Sequence, residues 1–351
     1  MKFSIEREII LDALKLIEGF IPSKSPVPSA ECVFIEAQED GCIWMRSADP
    51  WGAAASILIH ANKVEQSGEA FLLARKLSAL LPRMGTNVTF DADKICTMKS
   101  GDTEINLMMI TDDYNKPRHV DGECIEMTCE EFRNMVGGVS FAAGDDGKIH
   151  SGIKVTVDNG TLTMAALDGY RLAVRRCDTN ASDCAFVVPA KIMESVRKIC
   201  AGELKIYHDK KAVRFQTNGM NITVPQLMGD FLNYASAFPA DVKTRVNGTK
   251  NFFLQKIDLL TCINDEKKPI ILKFENGVCE FSITTAVTAI KDSLPVHMEG
   301  ENVTVGINAR YIYDAIKNGD EEFTIKLNGA NSALVFCGEN FDNLVLPVRV
   351  K

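Results

Sequence analysis

The chain repeats itself. Glu39-Asp40-Gly41, Asp158-Asn159-Gly160 and Glu275-Asn276-Gly277 are closely similar turn sequences whose glycines lie 119 and then 117 residues apart, and a third of the 351 residues is 117. Each turn separates alternating apolar segments: CVFIEAQ from CIWMRS, GIKVTV from TLTMAA, IILKF from VCEFSI. An acidic residue or Asn followed by Gly suits a tight hairpin, because Gly takes a positive φ without steric cost. Eight residues beyond each glycine comes a second break, at Asp49, Asp168 and Thr285, and another strand pattern follows it: GAAASILI, YRLAVRR, AVTAIKD. Any fold for this chain must therefore be one module used three times.

The helical signals repeat at the same offsets. Ala74-Arg75, Ala190-Lys191 and Ala309-Arg310 each open a helical periodicity that stops at a glycine, Gly85, Gly202 and Gly319. Two short strand patterns follow each stop. Each third also begins with a helical pattern: REIILDALKLIEGF, CEEFRNMVGGVSFAAG and FFLQKIDLLTCINDE. The last carries a stripe through Leu254, Ile257 and Leu260; the second is weakened by Gly137-Gly138. The reading is an α+β fold of three tandem modules, each with two helices packed on antiparallel sheets. Polar, turn-rich linkers at NKPRHVDGEC and PADVKTRVNGTK place the modules at 1–121, 122–242 and 243–351.

Composition narrows the function. A net charge of -8 argues against a general nucleic-acid binder unless the positive charge is gathered on one face. The apolar runs fall far short of the ~20 residues of a membrane span. Glu6, Arg7, Glu8 and Asp12 interrupt what would be the apolar core of a signal peptide, so a cytoplasmic protein is expected. Eleven cysteines with no C-x-x-C pair read as reduced thiols, and the five histidines have no ligand-like spacing to them. Neither a metal nor a cofactor is expected. His150, Asp168 and the cysteines are the raw material of a nucleophilic site, but no G-x-S-x-G is present, and GDDGK lacks the length and the following Ser or Thr of a phosphate loop. An enzyme is disfavoured. Three like modules without cofactor chemistry point to assembly, two chains closing six modules into a ring by closed symmetry. A structural scaffold that never meets DNA is the alternative.

At MKFSIERE, LDGYRLAV, VPAKIMESVRKI, QLMGDFLNYASAFP and LVLPVRVK the chain resembles the bacterial DNA sliding clamps, the β subunits of the replicative polymerase. The resemblance runs the whole length. It implies a head-to-tail homodimeric ring that encircles double-stranded DNA without regard to sequence. Such a ring confers processivity on the replicative polymerase, has no catalysis of its own, and docks polymerases, the clamp loader and other proteins carrying a clamp-binding motif.

The resemblance also implies site residues. Arg7, Arg75, Lys76 and Arg83 in the first module, Lys191, Arg197 and Lys198 in the second, and Arg310 and Lys317 in the third are expected to face DNA. Lys24 and Lys148 lie in loops expected near it. A peptide-binding pocket is expected from His150, Leu167, Gly169, Tyr170, Arg171 and Leu172. Leu232 and Ala237 join it, with Tyr311, Ala330 and Ser332 of the last module. The C-terminal Leu344, Val345, Leu346, Pro347, Val348 and Arg349 complete its wall. His150, Leu232 and Ala237 depart from the usual pattern and leave the preferred peptide open. At the dimer interface, Ile105 and Leu107 are expected to meet Cys262 and Ile263 of the partner subunit.

Overall fold

A computed structural model of the chain describes residues 1–50, 52–110, 118–262 and 268–349. The backbone gathers into two compact units, one of residues 1–129 with 198–226, the other of residues 130–197 with 227–351. Among the described residues six α-helices are formed: α1 (Arg7–Glu18), α2 (Ala74–Leu80), α3 (Cys129–Gly137), α4 (Ala190–Ile199), α5 (Lys250–Thr261) and α6 (Ala309–Lys317). The three later helices of each third, α2, α4 and α6, all start at the alanine of the Ala-basic dipeptide. The leucines before Ala74 belong to the strand Gly68–Leu73 instead, where Phe71 and Leu72 point to opposite faces. Before α6, the Asn308 carboxamide accepts the amides of Arg310 and Tyr311, so it caps two of the four donors a helix start leaves open.

Buried side chains explain each helix. α1 buries Ile10, Leu11, Ala13, Leu14 and Ile17, one face at three- and four-residue spacing. In α5 the buried residues are Phe253, Ile257 and Leu260; the expected Leu254 is only partly covered, because the stripe turns one position toward Phe253. α3 stops at Gly137, the first of the two glycines that weakened its pattern.

The strands of the first unit make two sheets. One has five strands and ends at Thr103–Met108, which pairs only with Ile95–Ser100. The other joins four strands of the first third to four of the second, through Ala54–His60 against Met220–Pro225. The second unit repeats the device. Its nine-stranded sheet joins four strands of the second third to five of the last, through Arg171–Asp178 against Phe341–Val345. Its four-stranded sheet ends at Ala289–Pro295, which pairs only with Val278–Thr284.

The repeated turns have one physical cause with one variation. In the second and third, Asn159-Gly160 and Asn276-Gly277 hold φ of 50°, 78°, 53° and 76°, the paired positive values of a two-residue hairpin. The first is a residue longer. Gln38 and Cys42 bracket it, Gly41 takes φ 90°, and the Asp40 carboxylate accepts the Cys42 amide at 2.9 Å. The second breaks are also a shared device. Asp49 accepts the Ala53 amide, Asp168 those of Tyr170 and Arg171, and the Thr285 hydroxyl those of Val287 and Thr288. A short side-chain acceptor is what such a turn needs, so Asp and Thr are interchangeable there.

All eleven cysteines are free thiols. Burial pushes the Cys96 thiol up to about 12 and Cys177 up to about 11, which keeps both unreactive near neutral pH. No helix of the described residues is long and apolar enough to cross a membrane, and no group of three metal-ligating side chains occurs among them.

Candidate functional site

The second unit carries an apolar cleft. Leu167, Leu172 and Leu344 pack with Ala165, Val174, Ala333 and Val335, and Phe231, Tyr234 and Phe238 lie against them partly covered. The cluster forms because Leu167 faces Leu172 across one strand pair and Leu172 faces Leu344 across the next. Around this floor stand apolar side chains without cover: Tyr170 is 63% exposed, Leu232 54%, Leu346 42% and Val348 41%. Uncovered apolar groups close to one another mark a place where something can bind. The structure packs Leu167, Leu172 and Leu344 in one cluster and joins Leu346 to Tyr170 by a backbone hydrogen bond.

Sequence reasoning missed the aromatic side of the cleft. Phe231 and Tyr234 meet edge to face at 6.4 Å. Their signal was present in GDFLNYASAFP, three aromatic residues in a stretch with no strand or helix period. Ala237 is exposed in the 3₁₀ turn Tyr234–Ala237. Ala330 is exposed in the turn after Glu322–Leu327, where the Ser332 hydroxyl accepts the Asn328 amide and donates to the Gly329 carbonyl.

Asp168 and Arg171 hold the cleft's shape. The loop is four residues long, from Asp168 to Arg171, rather than a two-residue Asp-Gly hairpin, and Gly169 sits at φ 89°. Arg171 is directed inward. Its guanidinium donates to Asp168 at 2.9 Å and to Asp314 on α6 at 2.7 Å, and lies 4.5 Å from the centre of the Tyr311 ring. With 13% of the side chain exposed it ties the loop to α6 and offers little surface for a wide contact. Tyr170, its neighbour, is the residue left to meet a ligand. Breaking a largely buried charge pair leaves the survivor uncompensated. Arg171→Met and Asp314→Asn are each expected to destabilise the second unit by roughly 3 kcal/mol in chemical denaturation, with the double variant little worse than either alone. Additive losses would mean the two residues do not act as a pair.

Leu344 and Val345 are buried members of the strand Phe341–Val345. Beyond them Leu346 donates its amide to the Tyr170 carbonyl and Val348 donates to Gly306, so the tail follows the rim on two backbone bonds. Pro347 is half-buried and Arg349 exposed. His150 is half-buried in the 3₁₀ turn Ile149–Ser151, its ring 5.5 Å from that of Phe231.

The cations expected near DNA are mostly at the surface. Arg75, Lys76, Lys191, Lys198 and Arg310 are exposed on α2, α4 and α6 and make no ion pair among the described residues. Lys24 and Lys148 are exposed in their loops. Lys317 lies 5.7 Å from the Tyr313 ring, Arg197 is paired with Glu194, and Arg83 donates to the Ala79 carbonyl. Arg7 is paired with Glu8 and donates to the Met84 carbonyl. The acids of α1 are partly matched, Asp12 by Lys15 and Glu18 by the Ser78 hydroxyl.

Of the residues expected at a subunit interface, Ile105 and Leu107 lie half-buried on the open edge Thr103–Met108, beside Met108, which is 76% exposed. Cys262 is exposed just past α5. Ile263 lies outside the described residues.

Known proteins share this fold. Curated relatives from Streptomyces coelicolor (22% identical) and Synechococcus elongatus (24% identical) align over the full length of both chains and are named beta sliding clamp. A crystal structure of the Bacillus subtilis DNA polymerase sliding clamp, 21% identical, superposes with a TM-score of 0.95 over all of both chains. The family models for the N-terminal, central and C-terminal domains of the DNA polymerase III beta subunit match residues 1–117, 126–233 and 235–349 in that order. Three consecutive domains of one family, laid end to end over nearly the whole sequence and folded as three copies of one α+β module, leave a single conclusion: the chain belongs to the DNA polymerase III beta subunit family, the bacterial sliding clamps.

Proposed function

We infer that the protein is a DNA sliding clamp: a homodimer that closes around duplex DNA, keeps the replicative polymerase on its template, and docks clamp-binding peptides in the apolar cleft. Its modules are taken as residues 1–121, 122–242 and 243–351. The clamp loader and other proteins bearing such a peptide are further expected partners, in the cytoplasm, and the clamp itself catalyses nothing.

One observation carries the ring. Each third supplies two half-sheets, and each sheet that crosses a third joins the strand after the second break to the last strand of the next third. Ala54–His60 takes Met220–Pro225, and Arg171–Asp178 takes Phe341–Val345. By that rule Ala289–Pro295 needs a partner like Thr103–Met108, and each of these strands ends its sheet with one edge unpaired among the described residues. A second copy, placed head to tail, satisfies both edges twice over and closes the assembly.

The used junctions also supply the register. Met220 faces Ile57 and Phe341 faces Arg175. The loops at Leu167–Leu172 and Thr284–Ala289 have equal length, which makes Asp292 the counterpart of Arg175. Thr103 then faces the partner's Asp292, Glu104 the partner's Lys291, and Ile105 the partner's Ile290. Opposite charge meets opposite charge, and apolar meets apolar.

Exposed cations on α2, α4 and α6 suit diffuse attraction to phosphates, which holds a duplex without reading it and permits sliding. They answer the objection of net charge, since the field near the helices matters more than the sum. Reversing Arg75, Lys76, Arg197 and Lys198 to Glu is expected to lower loading onto nicked circular DNA by about tenfold or more at moderate salt while sedimentation still finds the dimer. Unchanged loading would mean that these residues do not face DNA.

A further inference from the structure

The eight-stranded sheet of the first unit has two unlike faces. Ile43, Met45 and Ile57 are buried on the side where α1 packs, so Trp44, Arg46 and Ser56 stand on the opposite face. There Arg46 pairs across to Ser56, Ser56 to Asn221 and Thr223 to Arg214, which sets short polar side chains between two arginines. Arg118 and His119, from the segment before Val120, join them around one cavity of 330 Å³. Its lining holds all three guanidinium groups and the Trp44 indole, and no carboxylate among the described residues. Each cation has a carboxylate outside that lining. Arg46 has Glu36, Arg118 has Asp209 at 2.6 Å, and Arg214 has Asp121 at 3.6 Å, beyond hydrogen-bond reach. Arg214 is only 8% exposed. Its Nε donates to the Val120 carbonyl at 3.0 Å and its Nη1 to Asn221 at 2.9 Å, which leaves Nη2 without a hydrogen bond among the described residues. A guanidinium taken so far out of water is costly unless an anion supplies the missing acceptor.

We propose that this cavity is a binding site for a small phosphate-bearing anion, held between Arg46, Arg118 and Arg214 over the floor of Ser56, Asn221 and Thr223. Guanidinium groups present paired N–H donors that match the oxygens of a phosphate, which a lysine ammonium does not, and the lining has three arginines and no lysine. The floor adds hydroxyl and amide donors for the oxygens the arginines leave. The Arg46 guanidinium lies 5.1 Å from the centre of the Trp44 ring, so the indole stands beside the anion and reports on it. The cavity opens on the face of the sheet turned away from α1, and its size admits a compact anion and excludes a duplex. The site is independent of ring closure and of the apolar cleft, since every residue in it belongs to the first unit.

The test titrates the full-length protein with sodium pyrophosphate, against sodium chloride of equal ionic strength. Trp51→Phe leaves Trp44 as the one indole of the chain, and its fluorescence is the readout. The signal is expected to saturate with a Kd of about 0.1 mM, and binding to weaken as salt rises from 50 to 500 mM. Arg46→Gln and Arg118→Met should each weaken binding about tenfold or more, the scale of one charge-assisted hydrogen bond. The Arg118 side chain is 52% exposed, so that variant is expected to keep the fold. A response no different from that of chloride overturns the proposal, as does binding that both variants retain in full. A twelve-base-pair duplex at equal phosphate concentration should leave pyrophosphate in place; displacement would assign the site to a nucleic-acid backbone and overturn the small-anion reading. Calorimetry with pyrophosphate on the unaltered protein decides the matter even where a variant fails to fold: no saturable heat means no site.

Discussion

Ile105→Asp combined with Leu107→Asp is expected to turn the dimer into a monomer. Both side chains sit half-buried on the open edge Thr103–Met108; in the proposed register Ile105 meets the partner's Ile290 and Leu107 the partner's Thr288, just before the strand Ala289–Pro295. Covering an aliphatic side chain contributes about 1.5–3 kcal/mol, and a charge in its place must also be stripped of water. A head-to-tail dimer has the seam twice, so each substitution acts twice. A loss of at least about 4 kcal/mol, a thousandfold in Kd, is the expected scale. Sedimentation at micromolar concentration should find monomers with an unchanged circular dichroism spectrum. A second pair tests register: Glu104→Lys should weaken the dimer, and Lys291→Glu added to it should restore it. A dimer unmoved by the double aspartate variant would place the interface elsewhere.

Deleting residues 346–351 is expected to abolish docking of clamp-binding peptides and leave the fold standing. The described part of that tail is held by two backbone bonds, to Tyr170 and Gly306, and presents Leu346 and Val348 with 42% and 41% of their surface open. Losing two apolar contacts of about 1.5–3 kcal/mol each weakens binding by at least about a hundredfold. The cut must fall after Val345. Removing Leu344 and Val345 as well, buried at 3% and 0%, would strip the strand that joins Arg171–Asp178 to the last module, and lost binding would then report lost structure. Normal polymerase binding by the shorter deletion would rule the cleft out.

What could be read from the residues, and what could not, divides by range along the chain. The hairpins, the breaks and the helix starts are local. Asp168 and Thr285 bond to amides two and three residues away and Asp49 to one four residues away, so the repeat showed in sequence. Arg171 is the opposite case. Its partner Asp314 is 143 residues distant, and nothing in LDGYRL announces that the guanidinium is committed to α6. The sheets are non-local too. That Met220–Pro225 pairs with Ala54–His60 appears only in the fold, and with it the two open edges that define the seam. Leu167 and Leu172 were expected at the pocket from the resemblance alone, whereas Phe231 and Tyr234 lie in a stretch without period; the structure packs all four in one cluster. The cations of α2, α4 and α6 could be counted in the sequence, and the structure leaves Arg75, Lys76, Lys191, Lys198 and Arg310 exposed.

The most direct measurement is retention on DNA of two topologies. The Glu104→Cys, Lys291→Cys dimer is loaded onto nicked circular DNA, its seams are oxidised to disulfides, and the complex is washed at about 1 M salt, where charge attraction is screened within ~3 Å. A closed ring threaded by the duplex should remain on the circle and be released when the circle is cut once. Release from circle and linear DNA alike would mean that the protein grips DNA by charge and does not encircle it.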